Sequence, residues 1–392
     1  MGLLWFACWA SLTIPLAVQA QTPVGRPAKR WVYDQASRPA GAWRMGQRRA
    51  TIGAEGGPAQ FWMIAGVIIL EDGSIVVADN GSSEIRVFDG KGTHLRTFGG
   101  AGRGPGEFAG LWSIWLAGGF LVGVDASEET QTFSLAGKHL RTGQPLVSPS
   151  GQRMTRAGYF ADGTALGYHF EPMTNAPSGE SVRSMALYRQ DRDQLRSLGR
   201  FPGRLIHREG SQQPASVVYG PRARVVVVDT IFCVGYPDTY AFACFTPSGE
   251  ALFEVTRPGV VGRSVTQEDE ETFFHGIDVA NPGPRGEEYR QRMRQTTKFS
   301  RTLPPYGRMV ASNNGDIWVG EFVPADETLG VMNPSPTAPT KWSVYSSAGV
   351  WLSDVTLPAR FRLMDAGQDF VAGVERDEND VERVAVYELR RR

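Results

Sequence analysis

Residues 72–108 read Asp72-Gly-Ser-Ile-Val-Val-Ala-Asp79, then Ile85-Arg-Val-Phe-Asp89, Gly92, Leu95-Arg-Thr-Phe98 and a glycine-rich run from 99 to Phe108. The same order returns at 118–141: Gly118-Gly, Phe120-Leu-Val-Gly-Val-Asp125, Thr130-Gln-Thr-Phe133, Gly137 and His139-Leu-Arg141. Asp79 recurs as Asp125, 46 positions on, and Gly92 as Gly137, 45 positions on. A repeat of about 40–50 residues, made of short strands joined at Gly turns, is the pattern of a β-propeller blade.

Working outward from this pair, strand-and-turn rhythm counts six blades. Blade 1 spans about 61–98 and blade 2 about 108–144; blade 3 runs from Met154 to near Phe201. Blade 4 carries Val225-Val-Val-Val-Asp229 and Tyr240 to Phe245. Blade 5 carries Ile317-Trp-Val-Gly-Glu321 and Trp342 to Tyr345, and blade 6 Phe370 to Glu375 and Val384 to Leu389. Blade 6 runs out of chain one strand short, while 43–53 is a surplus strand at the other end. Pairing the two closes the ring and hides its edges. The expected fold is therefore all-β: a six-bladed propeller over 43–392, closed by an N-terminal strand.

Two stretches break the rhythm. Residues 264–304 read as a small helical insertion between blades 4 and 5: Ser264 or Thr266 caps one helix and 285–295 forms another. Residues 322–340 form a polar, Pro-rich loop. Segments this long are usually functional or disordered.

Blade 1 and the start of blade 2 resemble NHL repeats in Ile75 to Asp79, Ile85 to Asp89, Gly92 and Phe98 to Phe108. Over about 60 residues the chain is similar to secreted bacterial six-bladed propellers related to NHL proteins. That resemblance implies the fold and a binding role. It transfers no catalytic set, because such propellers include scaffolds, sensors and a few metal-dependent lyases and lactonases.

Formal net charge is zero, with 41 Lys plus Arg against 41 Asp plus Glu. No basic field favours nucleic acid or an anionic membrane. Residues 3–20 are apolar and uncharged, and Val18 and Ala20 suit cleavage after Ala20, so 1–20 reads as a signal peptide. Pro15 and the missing flanking charges argue against a membrane anchor. Residues 21–42 follow as an N-terminal tail. The expected mature protein is extracytoplasmic, periplasmic or secreted, monomeric, and without a transmembrane segment. Cys233 and Cys244 flank a hairpin turn around Tyr236 to Thr239. They sit opposite one another, as a disulfide requires, if the hairpin turns at Asp238-Thr239; two buried thiols are the other reading.

The run 99–108 lacks the Gly-Lys-Ser/Thr ending of a phosphate loop, and its earlier copy at 53–61 marks it as an interblade turn. Aligned ends of the b strands give Asp79, Asp125, His169, Asp229, Glu321 and Glu375. In a ring these residues converge on one channel mouth, the face that also carries both insertions. The functional expectation is a ligand site there for a small molecule, peptide or protein. Asp125, His169 and Asp229 are the candidate metal ligands, for Ca²⁺ through oxygen or Zn²⁺ through the imidazole. The bland alternative is that each acid caps backbone N–H groups in its own loop. Rival functions are a metal-dependent lyase or lactonase using the acidic ring, and a passive assembly scaffold. His139, His207 and His275 read as surface or packing residues. Trp62, Trp112, Trp318 and Trp351 read as core.

Overall fold

The computed structural model describes residues 27–34, 36–53, 56–173, 177–192, 194–210, 212–327 and 335–391. Residues 1–20, expected from the sequence to be a signal peptide, lie outside them. Six antiparallel sheets form a ring, each with strands a to d running outward from a central channel. Blade 1 takes Ile64–Ile69, Ile75–Asp79, Glu84–Phe88 and His94–Gly99. Blade 2 takes Leu111–Ala117, Phe120–Asp125, Thr130–Phe133 and His139–Gly143. Blade 3 takes Thr155–Tyr159, Ala165–Phe170, Gly179–Asp191 and Gln194–Arg208, with Ala215–Ser216 added at its edge. Its outer hairpin runs beyond Phe201, the expected end, to Arg208. Blade 4 takes Arg224–Val228, Ile231–Gly235, Ala241–Phe245 and Ala251–Thr256; blade 5 takes Met309–Ala311, Ile317–Gly320, Thr340–Tyr345 and Trp351–Leu357. Blade 6 takes Phe361–Ala366, Phe370–Arg376 and Glu382–Arg390 and receives Arg44–Ile52 as its outer strand.

Closure is antiparallel, with Arg44 opposite Arg390 and Ile52 opposite Val384. Part of the 21–42 segment also joins the ring. Lys29–Val32 pairs in parallel with Phe253 to Thr256 as a fifth strand of blade 4.

The core lies between blades. A b strand is covered on both faces by its neighbours, so both alternating sets must be apolar; every residue of Ile75–Asp79 is buried. Ile52, Phe61, Ile64, Val77, Val374 and Val384 fill the seam between blades 6 and 1. Val226, Phe242, Tyr306, Ile317 and Tyr345 fill the seam between blades 4 and 5. The 99–108 run is the interblade turn. Phe108 N–H donates to Gly100 O at 2.8 Å, and Gly99, at φ +88°, brings the backbone against the Phe108 ring.

The insertion holds helix α1 (Gln267–Ala280) and helix α2 (Pro284–Thr296). Thr266 caps α1 in a capping box with Asp269, and the Arg263 guanidinium bonded to Asp269 holds that carboxyl down at about 2. The disulfide is formed: Cys233 and Cys244 are direct cross-strand partners in blade 4, with Cα atoms 4.0 Å apart.

Candidate ligand cleft

The ring's two faces differ in what they carry. On one, a–b turns are tight. On the other, b strands end, c strands begin and the interblade links run, so both insertions emerge there. Phe273 and Ile277 of α1 pack on Tyr219, after blade 3, and on Phe322, which opens the 322–340 loop. Tyr219 Oη donates to Asp269 O at 2.8 Å, and Val218 N–H to Lys298 O at 2.8 Å. The insertion is thus tied to blades 3 and 5 on either side of blade 4.

The predicted ring residues divide. Asp79 is fully buried and accepts from Met63 N at 3.0 Å, Trp62 N at 3.2 Å and Ser82 Oγ at 3.0 Å, with Arg86 at 3.3 Å. Asp125 accepts from Ser127 N at 2.8 Å, Ser127 Oγ at 2.7 Å and Glu129 N at 3.0 Å. Glu375 pairs with Arg48 at 2.8 Å and accepts from Tyr387 Oη. His169 is buried and stacked on Tyr188, ring centroids 5.7 Å apart. These side chains hold loops and seams together. Glu321 is exposed, takes Lys341 N–H at 2.8 Å, and faces a cleft.

Asp229 does not belong with them. Arg224–Val228 is strand a of blade 4, not strand b, and Val228 pairs with Ile231 across the two-residue turn Asp229-Thr230. Asp229 has φ +53°, as such a turn demands, and lies at the opposite mouth of the channel. Strand b of blade 4 ends instead at Gly235. The proposed metal set Asp125, His169 and Asp229 is therefore not brought together. Among the described residues no group of three or more His, Cys, Asp or Glu is placed to hold a metal ion. The tryptophans also divide: Trp318 and Trp351 are buried, but Trp62 and Trp112 are 71% and 54% exposed on the insertion face.

What the structure builds on this face is a pair of clefts over blade 4. One, about 820 Å³, opens between blades 4 and 5 and is lined by Arg257, Trp351, Ser343, Asp354, Lys341 and Glu321. The other, about 970 Å³, opens towards blade 3 and is lined by Val182, Leu205, Tyr236, Val261 and Leu303. The strips 260–262 and 303–305, together with Tyr240 and Arg257, wall both. Arg257 stacks on Trp351, its guanidinium carbon 3.9 Å from the ring centroid, and lies 5.1 Å from that of Tyr240. Its Nη1 donates to Ser343 Oγ at 2.7 Å. Burial raises the Tyr240 and Tyr345 hydroxyls above their ordinary value, so both stay neutral beside it. Sequence reasoning missed Arg257. The one available signal was its place at the mouth of an insertion, two residues before Gly259.

No protein-family description matches the chain, and no curated protein matches it in sequence. Solved structures do. A candidate exported protein from Bacteroides fragilis is 10% identical, with 93% of this chain and 100% of that one covered at a TM-score of 0.50. A member of the duf4221 family from Bacteroides vulgatus is 9% identical, with 89% and 97% covered at a TM-score of 0.55. Virginiamycin B lyase from Staphylococcus aureus is 10% identical, with 84% and 94% covered, but its TM-score of 0.38 carries no argument. At these identities the likeness is one of fold. The class is a six-bladed β-propeller with one decorated face. No helix among the described residues is long and apolar enough to cross a membrane.

Proposed function

We propose that this is an extracytoplasmic ligand-binding propeller whose seat is the paired clefts on the insertion face. One observation carries the reading: two adjoining cavities of about 820 and 970 Å³ share a wall over blade 4, beside the helical insertion. Cavities of this size suit a small molecule or a short peptide. The apolar, cleavable stretch 3–20 and the Cys233–Cys244 bridge support export to an oxidising compartment. The Bacteroides fragilis protein of similar fold is itself a candidate exported protein.

The test is a thermal-shift screen of the purified protein against metabolites and short peptides, repeated on Val261→Arg. Val261 is 80% exposed on the shared wall, so its replacement should block the clefts without unfolding the ring. Ligands that raise the melting temperature of the wild type should lose that effect in the variant. Hits unaffected by Val261→Arg would place binding elsewhere and end this reading.

A further inference from the structure

Arg257 is a half-buried cation, and among the described residues no carboxylate lies within ion-pair distance of it. The other buried or paired charges of the cleft are accounted for. Arg38 pairs with Asp354 at 3.2 Å, and Arg263 with Asp269 at 2.6 Å. Asp354 is linked to Arg257 through Ser343, whose hydroxyl donates to Asp354 Oδ1 at 2.8 Å, and through Trp351, whose Nε1 donates to the same oxygen at 3.2 Å. On the rim, Lys341, Glu321 and Asp34 are exposed to solvent, as is Asp238 at the neighbouring cleft. The tyrosines beside the guanidinium are neutral. A cation–π contact offsets part of the cost of keeping a charge half out of water, but does not supply a counter-ion. The stack on Trp351 and the bond to Ser343 fix the plane of the guanidinium, which is the preorganisation a bidentate oxyanion needs.

The position of that charge says more. Arg257 and Tyr240 line both clefts, so the guanidinium stands where a polar cavity meets an apolar one. The apolar cleft is walled by Val182, Leu205, Val260, Val261 and Leu303, and Val182 and Val261 are 47% and 80% exposed. Exposed aliphatic side chains gathered at one cavity mark a surface awaiting an apolar occupant. A single guanidinium with no carboxylate in direct contact, among exposed acids at the rim, suits a monoanion rather than a phosphate dianion.

Resting on the binding reading above, we propose that the ligand is an amphipathic monocarboxylate. Its carboxylate is held by Arg257 over Trp351, and its apolar body lies along Val260 and Val261 towards Leu303.

The experiment uses 4-phenylbutyrate and its amide, 4-phenylbutyramide, titrated calorimetrically into the full-length mature protein. The pair differs only at the head, an ionised carboxylate with two acceptor oxygens against a neutral amide of nearly the same size. The acid should bind at least about tenfold more tightly than the amide, as a charge-assisted bidentate contact warrants. Arg257→Met keeps the aliphatic stem on Trp351 and should bring the two affinities together; Arg257→Lys should retain part of the preference. If the Met variant fails to fold, the Lys variant and the acid-to-amide ratio in the wild type still decide. Equal affinities for acid and amide, both lost in Val261→Arg, would overturn the carboxylate receptor while leaving the cleft as the binding seat. A preference for the acid that survives in Arg257→Met would overturn the role of Arg257. Binding of neither probe up to its solubility would overturn the inference outright.

Discussion

Blades 6 and 1 meet at a seam, and a buried carboxylate sits in it. Asp365, on the bulged inner strand of blade 6, accepts from Ile69 N of blade 1 at 2.8 Å and from Ala366 N at 2.8 Å. Burial raises its pKa from 3.8 to about 7, against the smaller downward pull of the two backbone bonds. A folded value above the unfolded one means that the native state holds the proton more tightly. The stabilisation is then complete below about pH 4 and is lost as pH rises through 7. At about 1.4 kcal/mol per pH unit, the interval from 3.8 to about 7 corresponds to about 4 kcal/mol. Asp365→Asn removes the titration. Its amide oxygen can accept only one of the two N–H groups well, a pH-independent cost of about 1–3 kcal/mol. The stability difference, variant minus wild type, should therefore rise by about 4 kcal/mol between pH 4 and pH 8. Urea unfolding followed by far-ultraviolet circular dichroism at half-unit pH steps measures it. Subtracting the two curves cancels every other titrating group, including Asp269, whose depressed pKa acts in the opposite sense. A difference that stays flat to within about 1 kcal/mol would refute the argument and place Asp365 in ordinary ionised form.

Two further outcomes follow from the same geometry. Reducing Cys233–Cys244, or replacing both by Ala, should cost about 3 kcal/mol, because the bridge closes a loop with a sequence separation of only 11; denaturation with and without dithiothreitol, alongside thiol titration of the unreduced protein, reads this out. Asp125→Ala strips acceptors from Ser127 N and Glu129 N and should cost about 2 kcal/mol or more, while calcium and zinc leave the melting temperature of the wild type unchanged. A calcium-dependent shift that Asp125→Asn abolishes would restore the metal reading.

Sequence was strong where a feature is local. The run from Gly99 to Phe108 turns between blades because its glycines and its aromatic stop act within about ten residues. The helix cap expected at Ser264 or Thr266 falls on Thr266 for the same reason. The repeat period counted the blades, and the surplus strand at 43–53 found its gap because an open sheet edge is costly wherever the chain begins and ends. Cys233 and Cys244 met once the turn position was right, since antiparallel register is fixed by the hairpin itself. The insertion face was also legible, because loops between b and c strands and links between blades must leave the ring on one side.

Tertiary structure decided what depends on pairing and on distant partners. Val225 to Asp229 has the same pattern as Ile75 to Asp79, yet one is an inner strand and the other the next strand out. Only the hydrogen-bond ladder separates them, and with it goes Asp229 as a ring member. The acids at strand ends look alike in sequence, but whether they face a ligand or their own backbone depends on N–H groups from other segments, such as Met63 for Asp79. Trp351 and Arg257 belong to different blades, and the guanidinium joins Ser343 across 86 positions of chain. A charge without a counter-charge is a property of everything around it. The sequence by itself therefore determined the architecture and the face on which to look, because strand period and turn chemistry are short-range. Which side chains gather on that face was decided only when six blades brought remote residues together.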